Sequence, residues 1–413
     1  MVGICLRPPK PPAPRQSRPV SPRVMMNRKQ DSLLLTLGAV LLALLVLPAM
    51  ATDIPNPLPD PDGKPADMTK PVQVYILMGQ SNMLGYGTIA GTTDGTLEYA
   101  VKTKNKYPYL VNDAGNWTVR QDVRYVRVMS SGTGAMTLYK NEWLTIGGGN
   151  TSNLIGVELG IGHYLGYATD APVLILKTCI GNRSLGWDLL PPGSQQFQWT
   201  DGATGTNWTY AGYGDSPSRW VTGTTPVPIS WTAGVQYDGD TRNAKTVLAN
   251  LGTYYPGATG YEIAGFFWWQ GDKDRYDAAH AAHYEQNLVQ LIGQLRKEFN
   301  APNAKFVCAT LGQTTIGTTG NDGLILDAQL AVSDAGKYPQ FAGNVATVYS
   351  NPLSMGGASN SHYNNNAETY MNIGEAMGKA MVPLIVPEPA SLALLGLGGL
   401  LMLKRRRKPT VPR

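Results

Sequence analysis

The 413-residue chain is poor in cysteine, with three, and in histidine, with four. Cys5 lies near the N-terminus, ahead of an apolar run. Cys179 and Cys308 sit in apolar, strand-like stretches, where buried free thiols are the ordinary expectation; a bridge between them stays open. The roughly 335 residues of the body are enough to bury a large core, so the fold does not depend on disulfides. Positive charge is also scarce once the ends are set aside. Thirteen of the 34 basic residues lie in 1–30 and 404–413, leaving 21 against 28 acids in 52–403, a net charge of about −7. A folded body of that sign excludes a nucleic-acid binder. The histidine shortage restricts any imidazole base to His163, His280, His283 or His362.

Both ends carry processing signals. Residues 1–30 hold seven basic residues and no acid, followed by the apolar run Leu33–Leu47 and the small-x-small sequence Ala49-Met50-Ala51. This reads as a secretory signal peptide over 1–51 with a long n-region that contains Met25 and Met26. At the other end, Val386-Pro387-Glu388-Pro389 precedes an apolar run, Leu392–Leu403, and then Lys404-Arg405-Arg406-Arg407. The run is short of the ~20 residues of a full span. The order Pro-Glu-Pro, apolar stretch, basic stop resembles the PEP-CTERM sorting signal, which implies an exosortase-type processing protease as a partner. A permanent anchor is the alternative, with the basic cluster on the cytoplasmic side in either case. The expected location is periplasmic, cell-surface or extracellular, with membrane contact through the two terminal segments.

Between these ends, a Pro/Asp-rich linker (52–70) leads into a body spanning 71–385. Five short apolar runs read as buried strands: Val72–Met78, Val173–Cys179, Ile263–Trp269, Lys305–Thr310 and Asn344–Tyr349. Helix-period segments alternate with them: Val157–Tyr167, Thr241–Tyr254, Ala278–Phe299, Leu324–Ala335 and Ala367–Met381. The alternation predicts a three-layer α/β/α sandwich around a mostly parallel five-stranded sheet, with the active site at the carboxyl ends of the strands. Two long loop insertions, roughly 87–153 and 183–236, interrupt the pattern and hold seven of the nine tryptophans. Exposed tryptophans there would stack on sugars; packing against the body is the expectation for any single one.

Three pieces of the chain carry chemistry. Gly79-Gln80-Ser81-Asn82 follows the first strand, where glycine permits a sharp bend and the Ser81 hydroxyl is presented at the sheet edge. A turn serine bonded to its own backbone is the bland reading. Trp268-Trp269-Gln270-Gly271-Asp272-Lys273-Asp274 follows the third strand; a glutamine amide there can donate to an oxyanion and an aspartate can orient a histidine. His362, in Ser359-Asn360-Ser361-His362-Tyr363, sits in a polar loop after the last strand. His163 reads as packed within a helix. His280 and His283, at i and i+3 near a helix start, read as a decoy or as a metal pair without an apparent third ligand.

Together these residues resemble the sialate O-acetylesterase and family 6-like carbohydrate esterase branch of the SGNH hydrolases. Gly156-Val157-Glu158 and Lys177-Thr178-Cys179-Ile180-Gly181-Asn182 share the resemblance, which spans most of 70–385. It implies an SGNH, flavodoxin-like fold, with Ser81 as nucleophile and His362 as base. It also implies an oxyanion hole of Ser81 N–H, Gly181 N–H and the Gln270 amide. Two departures stand out. The family commonly has aspartate three residues before the histidine, where this chain has Ser359. The common Gln-Gly-Glu reads Gln-Gly-Asp here. The acid is therefore expected from Asp272 or Asp274, with a slight preference for Asp272.

The expectation is an exported serine esterase that removes acetyl groups from carbohydrate by a Ser-His-Asp acyl-enzyme route, with no metal or cofactor. A non-catalytic carbohydrate-binding protein on an esterase fold is the second reading. A metal-dependent deacetylase using His280 and His283 is the third. The insertions set the pocket, so the sequence does not name the sugar.

Overall fold

The computed structural model describes residues 54–61 and 63–386. The segment read as a signal peptide and nearly all of that read as a sorting tail lie outside them. In chain order the body runs β1 (Val72–Gly79), α1 (Ser81–Leu84), β2 (Gly87–Thr88), β3 (Val123–Met129), β4 (Thr137–Trp143), β5 (Leu154–Ile155), α2 (Glu158–Ala168) and β6 (Val173–Thr178). It continues through β7 (Phe197–Thr200), β8 (Asn207–Tyr210), β9 (Arg219–Val221), α3 (Val235–Ala249), α4 (Leu251–Tyr254) and β10 (Tyr261–Trp269). The last elements are α5 (Ala278–Glu298), β11 (Lys305–Ala309), α6 (Gly320–Ala331), β12 (Val345–Val348) and α7 (Ala367–Ile385).

The main sheet has seven strands in the order β12-β11-β10-β1-β6-β3-β4. All neighbours are parallel except the β3–β4 pair. The three layers follow from strand alternation. Tyr75, Leu77, Ile175, Phe267 and Trp269 point to one face, where they meet α2 and α7 residues such as Leu165, Met371 and Met377. Val74, Ile76, Leu176, Phe266 and Trp268 point to the other, against Val247, Leu288, Leu291 and Ile325 of α3, α5 and α6. A sheet covered on both faces buries most of each central strand, and so its strands read as nearly continuous apolar runs.

The five expected strands are all present, and the sheet has two more. Both come from the first insertion. In β3 the apolar run is broken by Arg124 and Arg127, and β4 is an edge strand with an exposed or half-buried polar sequence. Neither gives a buried-strand pattern. The second insertion carries its own three-stranded antiparallel sheet, β7-β8-β9. α3 begins at Val235, six residues before the helical period was legible.

The stretch read as a linker packs in part on the body. Leu58 is buried, and Pro65 bridges to Gln121. Cys179 and Cys308 are buried free thiols on opposite faces of the sheet. Burial pushes the Cys179 thiol up to about 12, which keeps it protonated and inert. Among the described residues, no helix is long and apolar enough to cross a membrane.

Candidate active site

The loops leaving β1, β6, β10, β11 and β12 emerge on one edge of the sheet, as parallel pairing requires. Gly79 ends β1 with φ +147°, and a Cβ there would lie 2.3 Å from the Trp269 carbonyl oxygen. Only glycine lets the ends of β1 and β10 approach so closely. Gln80 is extended, and Ser81 then opens the single turn α1. As the first residue of a helical turn, Ser81 has a backbone N–H that the turn itself leaves unpaired. Gly85 ends the turn with φ +92° against Gly156, so the chain leaves Ser81 in one fixed direction.

Gly181, just past β6, stands directly beside Ser81. A methyl group on Gly181 would touch the serine at 3.5 Å from Cβ and 3.9 Å from Cα. The structure thus brings together two residues 100 positions apart, each with a backbone N–H at the sheet edge.

The loop after Gly181 is held by Gln270 and Asp274. Asp274 is completely buried. Its carboxylate accepts the Leu185 N–H at 2.9 Å, the Gly186 N–H at 2.8 Å and the Gln270 amide at 2.5 Å. The Gln270 amide nitrogen also donates to the Arg183 carbonyl at 2.9 Å, and its oxygen accepts from the Tyr284 hydroxyl at 2.8 Å. The sequence suggested that Gln270 would offer its amide to an oxyanion and that Asp274 was one candidate for the histidine's acid. In the structure both side chains make other contacts. Both amide hydrogens of Gln270 and both oxygens of Asp274 are committed to the 183–186 backbone and to each other. Burial pushes the Asp274 carboxyl above its ordinary value, against the opposing pull of His280 and its donors.

Asp272 faces the other way. Its Oδ1 accepts from the Ser359 hydroxyl at 2.5 Å and from Arg275 Nε at 2.9 Å. Ser359 is itself held by Gln313 in the loop after β11, accepting from its amide at 3.1 Å and donating its own N–H to the amide oxygen at 3.2 Å. The carboxylate is therefore fixed beside the residue three positions before His362. It lies close enough to raise the histidine's proton affinity, while burial lowers it; burial is the larger effect, so His362 falls below its ordinary 6.5.

His362 sits in a turn where four successive residues, His362 to Asn365, have φ between 51° and 56°. Its ring lies flat on Tyr86, with centroids 3.8 Å apart and planes 4° from parallel. Among the described residues the His362 ring forms this stack and no hydrogen bond to Ser81 or Asp272. Beneath the turn, Tyr363 is completely buried, stacks on Trp269 and accepts the Gly312 N–H at 3.1 Å. Tyr86 was not singled out from the sequence; its place five residues past Ser81, between two glycines, was the available signal.

The remaining histidines are elsewhere. His163 is buried in α2 with Nδ1 3.3 Å from Arg120. His280 packs against Gly186 and edge-on to Tyr210, and His283 stacks on Phe197 at 3.5 Å. The two motifs Gly156-Val157-Glu158 and Lys177-Thr178-Cys179 meet in a buried ion pair. Lys177 Nζ lies 2.5 Å from Glu158 and donates to the Leu84 carbonyl at the end of α1 at 3.0 Å. The other Glu158 oxygen accepts the Gly156 N–H at 2.9 Å. The pair thus braces the turn that carries Ser81. Burial lowers Lys177 from its ordinary value, and Glu158 opposes that.

Several known proteins resemble this chain. A solved protein from Arabidopsis thaliana is 15% identical, with 76% of this chain and 98% of that one covered and a TM-score of 0.42. A carbohydrate acetylesterase from Xanthomonas citri is 14% identical, with 76% and 56% covered and a TM-score of 0.44. NanS is 14% identical, with 68% and 78% covered and a TM-score of 0.33. No curated protein matches. Residues 220–383 match the family model described as carbohydrate esterase, sialic acid-specific acetylesterase. This stretch, less than half of the chain, is what is similar to that family. That likeness supports a carboxylic ester hydrolase of the carbohydrate-acetylesterase kind. The matched stretch contains Gln270, Asp272, Asp274 and His362, while Ser81 and Gly181 precede it. Residues 386–408 match the PEP-CTERM protein-sorting motif, as the order of residues there suggested.

Proposed function

We propose that the chain is an exported serine esterase that removes O-acetyl groups from carbohydrate, with Ser81 as nucleophile, His362 as base and Asp272 as the acid. Ser81 Oγ attacks the acetyl carbonyl while His362 accepts its proton. The N–H groups of Ser81 and Gly181 receive the developing oxyanion. The imidazolium then protonates the departing sugar hydroxyl, leaving acetyl-Ser81. Water, deprotonated by the same imidazole, attacks the acyl-enzyme; acetate leaves and Ser81 recovers its proton. Asp272 favours the imidazolium electrostatically. Asp274 and Gln270 hold the Gly181 loop and touch neither substrate nor base. The PEP-CTERM match and the basic, apolar N-terminus support export, with exosortase-type processing of the tail.

The contact of Gly181 with Ser81 is the observation that carries this reading. It sets two candidate oxyanion donors side by side on the edge where the imidazole and the Asp272 carboxylate also stand. Hydrolysis of an aryl acetate tests it. Ser81→Ala and His362→Ala should each remove nearly all turnover, and His280→Ala should retain it. Full activity in Ser81→Ala would end the proposal. Loss on chelation, together with loss in His280→Ala, would favour a metal-dependent deacetylase.

A further inference from the structure

The stack of His362 on Tyr86 is a contact that the reaction scheme above does not use. Tyr86 is held from both sides. Gly85 presses on Gly156, and a Cβ on Gly85 would lie 2.3 Å from the Gly156 Cα. Gly87 pairs with Ile155, and a Cβ there would lie 2.9 Å from the Ala367 Cα. The phenol is half-buried between these anchors. On the histidine side, Tyr363 is pinned by Trp269 and the Gly312 N–H, and Tyr370 of α7 reaches the His362 carbonyl at 3.5 Å. The two rings are thus set face to face by independent pieces of backbone.

Two neutral aromatic rings gain little electrostatically from this arrangement, since their negative faces oppose each other and offset or edge-on contacts are preferred. A cation over the same face is attracted by the ring quadrupole. The contact therefore favours the protonated imidazole over the neutral one. Resting on the esterase reading, we propose that Tyr86 is a positioning residue that fixes the plane of the His362 ring and stabilises its imidazolium as Ser81 gives up its proton. An interaction that strengthens on protonation contributes to the transition state more than to the ground state. The groups acting on His362 or packed beside it, besides Tyr86, are Asp272 with its partner Arg275 after β10, Tyr363 on its own turn and Tyr370 on α7. On Tyr86 itself burial acts most strongly, with Arg127 the cation whose charge reaches it.

The test uses the full chain with Y86F and Y86L. Phenylalanine keeps the aromatic face. Leucine keeps the apolar cover over His362 but removes the quadrupole, so solvation of the imidazole changes least. Two readouts are taken: the pH profile of kcat/KM on an aryl acetate, and the His362 imidazole titration by NMR, assigned by its disappearance in His362→Asn. Y86F should track the unsubstituted protein in both. Y86L should lose about 2- to 30-fold in kcat/KM, the range of a cation–aromatic contact, with both the acid limb and the imidazole titration moving to lower pH. A fall in rate without movement of either titration is a packing effect and overturns the proposal. If no form hydrolyses the acetate, the esterase reading fails, and the imidazole titration alone decides on Tyr86: a Y86L value unchanged from the unsubstituted protein overturns it. Y86M serves as the second apolar replacement if Y86L melts early.

Discussion

Asp272 and Asp274 are two residues apart, yet they should fail in different ways when made neutral. Asp274 has no exposed surface, and three donors converge on its carboxylate. In Asp274→Asn, either amide orientation turns an NH2 group toward at least one N–H donor. That leaves buried donors unpaired at ~1–3 kcal/mol and removes the charge assistance from the remaining bonds, worth about 1 kcal/mol each. Relief of the buried charge offsets part of this, since burial already holds the carboxyl above its ordinary value. A net loss of ~2–4 kcal/mol follows. With an unfolding entropy of ~2.1 cal/mol/K per residue over about 330 residues, the melting temperature should fall by roughly 3–6 °C. The pH dependence carries a signature as well. A carboxyl whose folded pKa is raised binds more protons folded than unfolded, so its contribution to stability declines as pH rises from its ordinary 3.8 through the folded value. Asp274→Asn should abolish that slope. Asp272→Asn is different: its side chain is 14% exposed and bonded to Ser359 and Arg275. Its melting temperature should move little, while kcat on an aryl acetate falls by about 10²- to 10⁴-fold, as when a histidine loses its acid. Thermal melts and steady-state kinetics on the two variants decide the matter. A thermally normal Asp274→Asn without activity, beside an active Asp272→Asn, would refute this division of roles.

Three further outcomes follow from the same contacts. Ser359→Asp should lose activity by setting a second carboxylate against Asp272, whereas the double variant D272S/S359D should recover activity relative to either single change; kinetics on the three proteins would show whether the acid can sit at either place. Glu158→Gln leaves Lys177 unpaired where neither side chain has exposed surface, so it should cost ~3–5 kcal/mol, read as a drop in denaturant midpoint. Because burial holds His362 below its ordinary 6.5, the acid limb of kcat/KM should lie below that pH, with activity lost as pH falls and the base takes up its proton; a limb above 6.5 would contradict the burial argument.

The strands legible in the sequence were mostly those buried along most of their length, where polar residues are few and the run needs no alternation to stand out. β3 was hidden because Arg124 and Arg127 interrupt its apolar run, although Arg127 is itself buried. The converging loops were legible because a parallel sheet sends them all to one edge. What could not be read was the direction of each side chain once its loop leaves the strand. Gly271, with φ +138°, and the short 3-10 turn at Asp274–Tyr276 turn Asp272 toward Ser359 and Asp274 toward the Gly181 loop. No spacing rule distinguishes those outcomes. The tryptophans behave similarly. Trp268 and Trp269 are completely buried, whereas all seven in the insertions are half-buried, so composition alone divides neither packing from display.

The departure at Ser359 becomes physically intelligible from its neighbours. β10 and β12 are separated by β11 in the sheet, so their loops must be bridged across the loop between them. Gln313 on the β11 loop holds Ser359 through two bonds, and Ser359 passes its hydroxyl proton toward Asp272. A neutral serine hydroxyl carries no charge to stabilise an imidazolium, but it fixes the Asp272 carboxylate, which does so in the proposed mechanism. What the imidazole responds to is negative charge at a place, and that place can be reached from β10 as well as from the turn bearing His362. The shorter aspartate in Gln-Gly-Asp fits this arrangement, because the serine hydroxyl supplies the contact that anchors the carboxylate.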